Sequence, residues 1–560
     1  MMQSRLRKPA YRLAVNGVLN GAAAGFLILL MIAGAAGAKA PETSPRPSPR
    51  APVEDVSRLA PQLTPRPVKR VAGSEATQAA TFTAAGAVKK TAQAPDKAVS
   101  KGVLDGPLPQ EPASGESGYA LIDIKTGKML EQRLAAKAFI PASVSKTPTA
   151  LYALDALGPD YTFKTRVYAV GSIVNGVLKG DLYLVGSGDP VLDTSELYEL
   201  AQAVAAKGIR KIDGVLLYDA TALPFAEQIE PTQPVHAAYN PSVSGLNLNF
   251  NRVLLKWERQ KDKSYEVGLF AHSSRKVIEA ETVAASVVPK DVKPKNVIAY
   301  QRLAGEAESW KVARKILTRR GSRWLPVQRP ARYVAATFKA LLQEVGVEAP
   351  SEMLADVVPS GAMLVAEHES MPLKRILRGM LKISTNLTAE AVGMQASREL
   401  GLSALSFDRS GAEMTKFMLA RYGLTPQTTL FANHSGLASK SRISPGDMAL
   451  LMATVGADDA GFEAASWLLS RYKVRKLGGA EIRAKTGTMY YARGLSGLIA
   501  CDSGKRLAFA SFTNDIAKRE ELDRTADPAS TDKPRGGSYW LKRAQNIERQ
   551  LLRNWVAKHC

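Results

Sequence analysis

The sequence predicts a mixed α/β (α+β) fold in which an antiparallel sheet is flanked by helices and interrupted by two inserted mixed α/β domains. Three observations carry this. Near one end, strand-like runs at 118–124 and 129–133 are joined by Lys125, Thr126, Gly127 and Lys128, a hairpin turn. Near the other end, a strand over 481–488 precedes a second strand pair, 495–501 and 507–513, about a turn at 502–505. Between them, apolar residues recur at helical spacing over 331–345, 373–383, 387–400, 410–422 and 445–455.

In chain order, the hairpin is followed by Pro141, which leads into Ser143. Ala150, Leu151, Ala153, Leu154 and Leu157 then mark a helix, so Ser143 is expected at or near its start, with Lys146 three residues on and on the same face. From 161 to 225, strands such as 178–185 alternate with a helix near 195–207, after the turn Gly186–Pro190. A strand-rich, highly charged region runs from 246 to about 325. These stretches are read as inserted domains over 164–365, the second nested at about 220–300, within a body formed by 113–163 and 366–560. Ser384, Thr385 and Asn386 lie at the joint of two helices. Asn433–Leu437 forms a loop, and Ser444 with Pro445 is an N-cap with proline at the first helical position. A closing amphipathic helix over 539–556 is expected to pack across the sheet.

The chain has 560 residues, 45% hydrophobic and 7% aromatic, which is ordinary globular composition. Its formal charge of +23 suits an anionic surface: nucleic acid, acidic lipid or an acidic wall polymer. The N-terminus chooses among them. Arg5, Arg7, Lys8 and Arg12 precede an apolar run from 22 to 36 that ends in Ala36, Gly37 and Ala38. This reads as a signal peptide over 1–38 and hence an exported, periplasmic protein. The alternative, an uncleaved anchor and the one expected link to a membrane, meets a core short for a span of about 20 residues. With no nucleic-acid-binding motif, nucleic acid is not expected as a partner. Residues 39–112, rich in Pro, Ala and Lys/Arg, read as a disordered basic tether. The two cysteines permit a disulfide without implying one. Cys501, in an apolar run, reads as a small core residue. Five histidines without paired ligand spacing predict no metal site, and no cofactor motif is present.

Ser143-x-x-Lys146 is a nucleophile beside an amine, but the same spacing occurs at Ser273 and Lys276, Ser470 and Lys473, and Ser530 and Lys533. Two motifs further along the chain set the first pair apart: Ser384-x-Asn386 between helices, then Lys485-Thr486-Gly487 on a strand. Lys125–Gly127 repeats the last motif but is better explained as a turn. The ordered trio is that of penicillin-binding proteins and β-lactamases. The chain resembles the class C low-molecular-mass penicillin-binding proteins, the D-alanyl-D-alanine carboxypeptidase/endopeptidase family. Members have a serine DD-peptidase/β-lactamase-like fold and a long insertion between the first two motifs; here 241 residues lie from 143 to 384. The stretches 180–190 and 239–248, Asn386–Glu390 and Ala484–Thr488 also match family landmarks, so the likeness spans 118 to the C-terminus and leaves out the tether.

The resemblance implies roles that the chemistry of acyl transfer requires. Ser143 would be the nucleophile and Lys146 its base, with burial and Lys485 depressing the amine. Ser384 would relay a proton to the departing amine, and Asn386 would hold the substrate amide. Lys485, Thr486 and Thr488 would engage a terminal carboxylate beside Gly487. The backbone N–H groups of Ser143 and Thr488 would form the oxyanion hole. Taken singly, each residue has a plainer reading: a helix cap, a first-turn charge, a surface lysine. Three departures from the family pattern are visible. Asn433-His434 stands where Asp-Gly is usual, changing charge and bulk near the cleft. Thr385 replaces an Asp, and the segment before Lys485 lacks a Gly-Thr-Leu stretch and its arginine. The expected function is hydrolysis of D-alanyl-D-alanine-type bonds in peptidoglycan stem peptides or cross-links, with β-lactams as covalent inhibitors. Two rivals remain. A β-lactamase lacks support from any recognisable deacylating glutamate, and a non-catalytic wall-binding protein would keep the fold without turnover.

Overall fold

The computed structural model describes residues 105–560 apart from 289–296, 305–306, 404, 476 and 531–532. The expected signal peptide, and the tether up to residue 104, lie outside the described residues. The last tether residues are packed: Gly106 donates its N–H to the Gln132 carbonyl at 2.8 Å, and Leu108 joins the apolar core beneath the sheet.

The chain enters through β1 (Glu116–Asp123) and β2 (Met129–Arg133), joined by a turn with Gly127 at φ 68°, as the sequence predicts. A 3-10 turn, Ala142–Ser145, runs into α1 (Lys146–Leu157). The insertion begins with the hairpin β3 (Lys164–Val174) and β4 (Val177–Gly186). Helix α2 (Thr194–Ala206) comes next, opened by a capping box in which Asp193 accepts from Ser195 and Glu196 N–H while Glu196 accepts from Asp193 N–H. After it come the short β5 (Lys211–Ile212) and β6 (Leu216–Asp219), then β7 (Arg252–Arg259), β8 (Tyr265–His272), β9 (Val277–Glu279), β10 (Val283–Val288), β11 (Ile298–Arg302), β12 (Glu308–Ala313) and β13 (Arg320–Pro326). The segment closes with α3 (Pro330–Glu344), β14 (Met353–Ala355) and β15 (Met363–Glu369).

Three sheets form from these strands, ordered β14-β6-β4-β3-β15 (with β5 beside β4), β13-β7-β8-β9 and β10-β12-β11. One continuous apolar core joins all three, from Val167 and Leu184 through Leu255 and Trp310 to Phe338 on α3. Strand β15 pairs with β3 out to Glu369, three residues past the expected return to the body at 366.

Between the insertion and the last strands come α4 (Leu373–Ile383), α5 (Asn386–Glu399), α6 (Phe407–Tyr422), α7 (Pro445–Val455) and α8 (Asp459–Leu468). On α4, Ile376, Leu377, Met380 and Leu381 are buried while Arg375 and Arg378 face solvent, an amphipathic stripe. The end of the chain supplies β16 (Ser470–Arg471), β17 (Ala480–Met489), β18 (Ala492–Cys501), β19 (Arg506–Asn514), α9 (Ile516–Arg524) and α10 (Gly537–His559).

These last strands join β1 and β2 in one antiparallel sheet, ordered β16-β17-β18-β19-β1-β2. Both faces are covered, and the period-two alternation divides the strand residues between them. Ala120, Ile122, Leu498, Ala508, Ala510 and Phe512 pack toward α1 and α4–α8. Tyr119, Leu121, Leu495, Ile499 and Phe509 pack on Leu551, Leu552 and Trp555 of α10. The closing helix therefore lies across the sheet as predicted, and its end is covalently fixed: Cys501 and Cys560 form a disulfide with Cα atoms 5.2 Å apart. Cys501 is buried, as its apolar surroundings predict, but it is more than a core filler.

Candidate active site

The site lies where the 3-10 turn, the start of α5 and strand β17 converge. Ser143 sits in the turn, half-buried, three residues before α1 begins, so it precedes the helix rather than capping it. The turn is held tightly: Ala142 has φ 48°, and Gly487 of β17 lies so close that a Cβ there would be 2.3 Å from the Pro141 carbonyl oxygen and 3.1 Å from Ser143 N. Glycine is required for that approach.

Lys146, fully buried, donates to three oxygens: Ser143 Oγ at 3.0 Å, Asn386 Oδ1 at 2.6 Å and the Ser435 carbonyl at 2.7 Å. Burial holds its ammonium well below the usual lysine range, and the Lys485 charge adds to this, while Glu390 opposes. Lys485 on β17 donates to Ser384 Oγ at 2.9 Å. Burial, with Arg493 second, brings it down to about 7. Ser384 stands at the C-terminal end of α4 in the left-handed region, φ 60°, a conformation strained for a serine and held by its surroundings. Asn386 opens α5 and donates Nδ2 to the Tyr239 carbonyl at 2.8 Å, so the insertion contributes backbone to the site wall. Thr488, on the same face of β17 as Thr486, receives a hydrogen bond from Arg493 Nη1.

The residues picked out in the sequence thus lie in one linked cluster: Ser143, Lys146 and Asn386 through the lysine, Ser384 and Lys485 through the second lysine, and Gly487 against the turn. Chemically, an amine depressed by burial beside a serine hydroxyl can take its proton, and a second lysine on an adjoining strand can bind an anion.

Glu390 is the buried residue that sequence reasoning left without a role. It lies four residues past Asn386, on the same face of α5, and that spacing was the available signal. Its Oε2 accepts His434 N–H at 3.1 Å and its Oε1 accepts Ser435 N–H at 2.9 Å, so a carboxylate in the interior fixes the backbone that presents the Ser435 carbonyl to Lys146. The expected change of bulk near the cleft takes a different form. The His434 side chain is fully buried behind the site, stacked on Tyr152 with ring centroids 6.0 Å apart and 2.6 Å from Ser410 Oγ. Burial takes its imidazole down to about 3, so it is neutral. Gly393 on α5 makes the room: a Cβ there would be 2.1 Å from His434 Cγ. Asn433 is an acceptor for the Gly436 N–H at 3.0 Å.

Fold and site together define a penicillin-binding-protein-type serine peptidase. The model of the D-Ala-D-Ala carboxypeptidase 3 (S13) family matches residues 99–531, and the chain belongs to that family: it is a serine-type D-Ala-D-Ala carboxypeptidase of the class C low-molecular-mass penicillin-binding proteins. It is 22% identical over 425 residues to D-alanyl-D-alanine carboxypeptidase DacB of Haemophilus influenzae, covering 72% of this chain and 86% of that protein. It is 27% identical over 440 residues to the D-alanyl-D-alanine carboxypeptidase of Actinomadura sp. (strain R39), covering 71% and 77%. The fold is similar to the crystal structure of penicillin binding protein 4 (dacB) from Haemophilus influenzae, with TM-score 0.64 and 21% identity over 79% of this chain and 97% of that one. A second structure of that protein, complexed with a novel β-lactam, gives TM-score 0.61.

Proposed function

We propose that the chain is an exported, periplasmic DD-peptidase that cleaves D-alanyl-D-alanine-type bonds in peptidoglycan stem peptides and cross-links through an acyl-enzyme on Ser143, and that β-lactams trap this serine. The observation that carries the reading is Lys146, wholly buried, with its Nζ 3.0 Å from Ser143 Oγ and its other hydrogen bonds going to neutral oxygens. Burial holds this amine well below the usual lysine range, which favours its neutral form and lets it accept the hydroxyl proton.

In the first step Ser143 Oγ attacks the scissile carbonyl while Lys146 takes its proton, and the backbone N–H groups of Ser143 and Thr488 stabilise the oxyanion. Collapse breaks the C–N bond, with Ser384 passing a proton to the departing amine. Lys485, Thr486 and Thr488 hold the carboxylate of the leaving residue, and Asn386 orients the substrate amide. Water then hydrolyses the ester with Lys146 as base. Both Glu390 oxygens are engaged by backbone N–H groups, which speaks against its activating a deacylating water and favours the peptidase over the β-lactamase. Described residues contain no helix long and apolar enough to cross a membrane; the reading of export rests on the N-terminal sequence and the cell-wall family. The test is digestion of purified muropeptides followed by mass spectrometry. Loss of one D-alanine from pentapeptide stems supports the carboxypeptidase, conversion of dimers to monomers supports the endopeptidase, and binding without any mass change sinks both.

A further inference from the structure

Directly behind Thr488 lies the most deeply buried ion pair among the described residues. Arg493 on β18 and Glu548 on α10, with side chains 5% and 3% exposed, make a bidentate contact: Nε to Oε2 at 2.8 Å and Nη2 to Oε1 at 2.6 Å. The Tyr472 hydroxyl donates to the same carboxylate. The remaining arm of the guanidinium, Nη1, donates to Thr488 Oγ1, and the sheet register sets Arg493 opposite Thr488. A dry ion pair is weak evidence for stability, because an apolar pair of similar volume often serves as well. Its placement beside β17, the strand read as the anion-binding wall, suggests another use.

The polarity of this chain of hydrogen bonds is fixed by chemistry. A guanidinium only donates and a carboxylate only accepts, so Thr488 Oγ must accept from Arg493. A threonine hydroxyl has one proton, which is then free to point into the cleft. We propose that Arg493, locked by Glu548, is a positioning residue that turns the Thr488 hydroxyl into an obligate donor toward the leaving residue's carboxylate, making the site selective for substrates whose leaving residue has a free carboxylate. The proposal rests on the reading of β17 as the carboxylate-binding strand. It ties the reactive strand to α10, far away in sequence. The Arg493 charge also acts on Lys485. The other groups facing this region are Lys146 on α1, Glu390 on α5 and, beyond the arginine, Glu548 and Tyr472. Removing Arg493 is therefore expected to raise Lys485.

The test compares wild type with the double variant Arg493→Met/Glu548→Leu, which removes both charges together so that neither is left buried alone, and with Thr488→Val. Release of the leaving residue is measured from a peptide ending in D-alanyl-D-alanine, which yields D-alanine, and from its C-terminal amide, which yields D-alaninamide. The double variant should raise KM for the acid about tenfold, in line with loss of one charge-assisted hydrogen bond, with a smaller fall in kcat. Discrimination between acid and amide should shrink by a similar factor, Thr488→Val should show the same loss, and the alkaline limb of the kcat/KM profile should move to higher pH. A folded double variant with wild-type KM, discrimination and pH profile would overturn the inference. Failure of the underlying reading would show differently, as no D-alanine release by the wild-type protein.

Discussion

Glu390 Oε1 accepts the backbone N–H of Ser435 at 2.9 Å, and the carbonyl of that same residue accepts from Lys146 Nζ at 2.7 Å. A buried carboxylate on α5 thus sets the position of an oxygen that orients the proposed base. Glu390→Gln keeps the volume but offers one acceptor for two N–H donors, so the loop must shift or leave a donor unpaired at about 1–3 kcal/mol. The expected result is a fall of at least tenfold in acylation rate by a labelled penicillin and a lower Tm, with little change in substrate KM. Stopped-time labelling and thermal melts check it.

The pH dependence comes from two depressed lysines. Lys146 must be neutral to act as base, and Lys485 must be protonated to hold a carboxylate, so kcat/KM should be bell-shaped with its alkaline limb near the Lys485 value of about 7. Stability has a definite sign as well. Lys485 falls from 10.5 in a free lysine to about 7, so between these values the unfolded chain binds more protons and stability from this group rises with pH. Below about 7 that gain is absent, because the buried amine must be charged. The Tm of Lys485→Met relative to wild type, measured across pH 7 to about 10, should therefore fall as pH rises.

Gly393 and His434 form a matched pair. Alanine ordinarily favours a helix interior over glycine by about 1 kcal/mol, yet Gly393→Ala is expected to destabilise by about 1–3 kcal/mol because its methyl would overlap the imidazole. His434→Gly leaves a void instead. The combination Gly393→Ala/His434→Gly should be less destabilised than the sum of the single changes, a coupling that denaturant titrations of all four proteins measure.

The Cys501–Cys560 disulfide closes a sequence separation of 59 residues and anchors the end of α10, the helix that bears Glu548 and Trp555. Cys560→Ser is expected to lower stability by about 2–4 kcal/mol. Comparing Tm with and without reductant, in wild type and variant, checks it: reductant should lower only the wild type.

Much of this molecule was legible from local pattern. Helix α4 spans 373–383 as its stripe of Ile376, Leu377, Met380 and Leu381 indicates, and α7 starts at Pro445 because Ser444 caps it. The proposed site was legible because its three motifs keep their order even though Ser384 follows Ser143 by 241 positions. Other features depend on distant partners and left no local trace. Helix α9 is mostly polar, with Arg519 its one buried residue, and α8 is short. The His434 ring of the loop turns inward because Gly393, on α5, leaves the space. Arg493 is one of many charges in the sequence, and its buried partner Glu548 lies 55 residues further along the chain.

The proposed reaction turns on acylation of Ser143 with Lys146 as base. The most direct measurement is intact-mass and peptide-mass analysis of the wild-type protein, Ser143→Ala and Lys146→Met after incubation with benzylpenicillin. One covalent adduct on the peptide containing Ser143 is expected in wild type, none in Ser143→Ala and a strongly slowed reaction in Lys146→Met. An adduct of equal yield in Ser143→Ala, or one mapped to another serine, would contradict it.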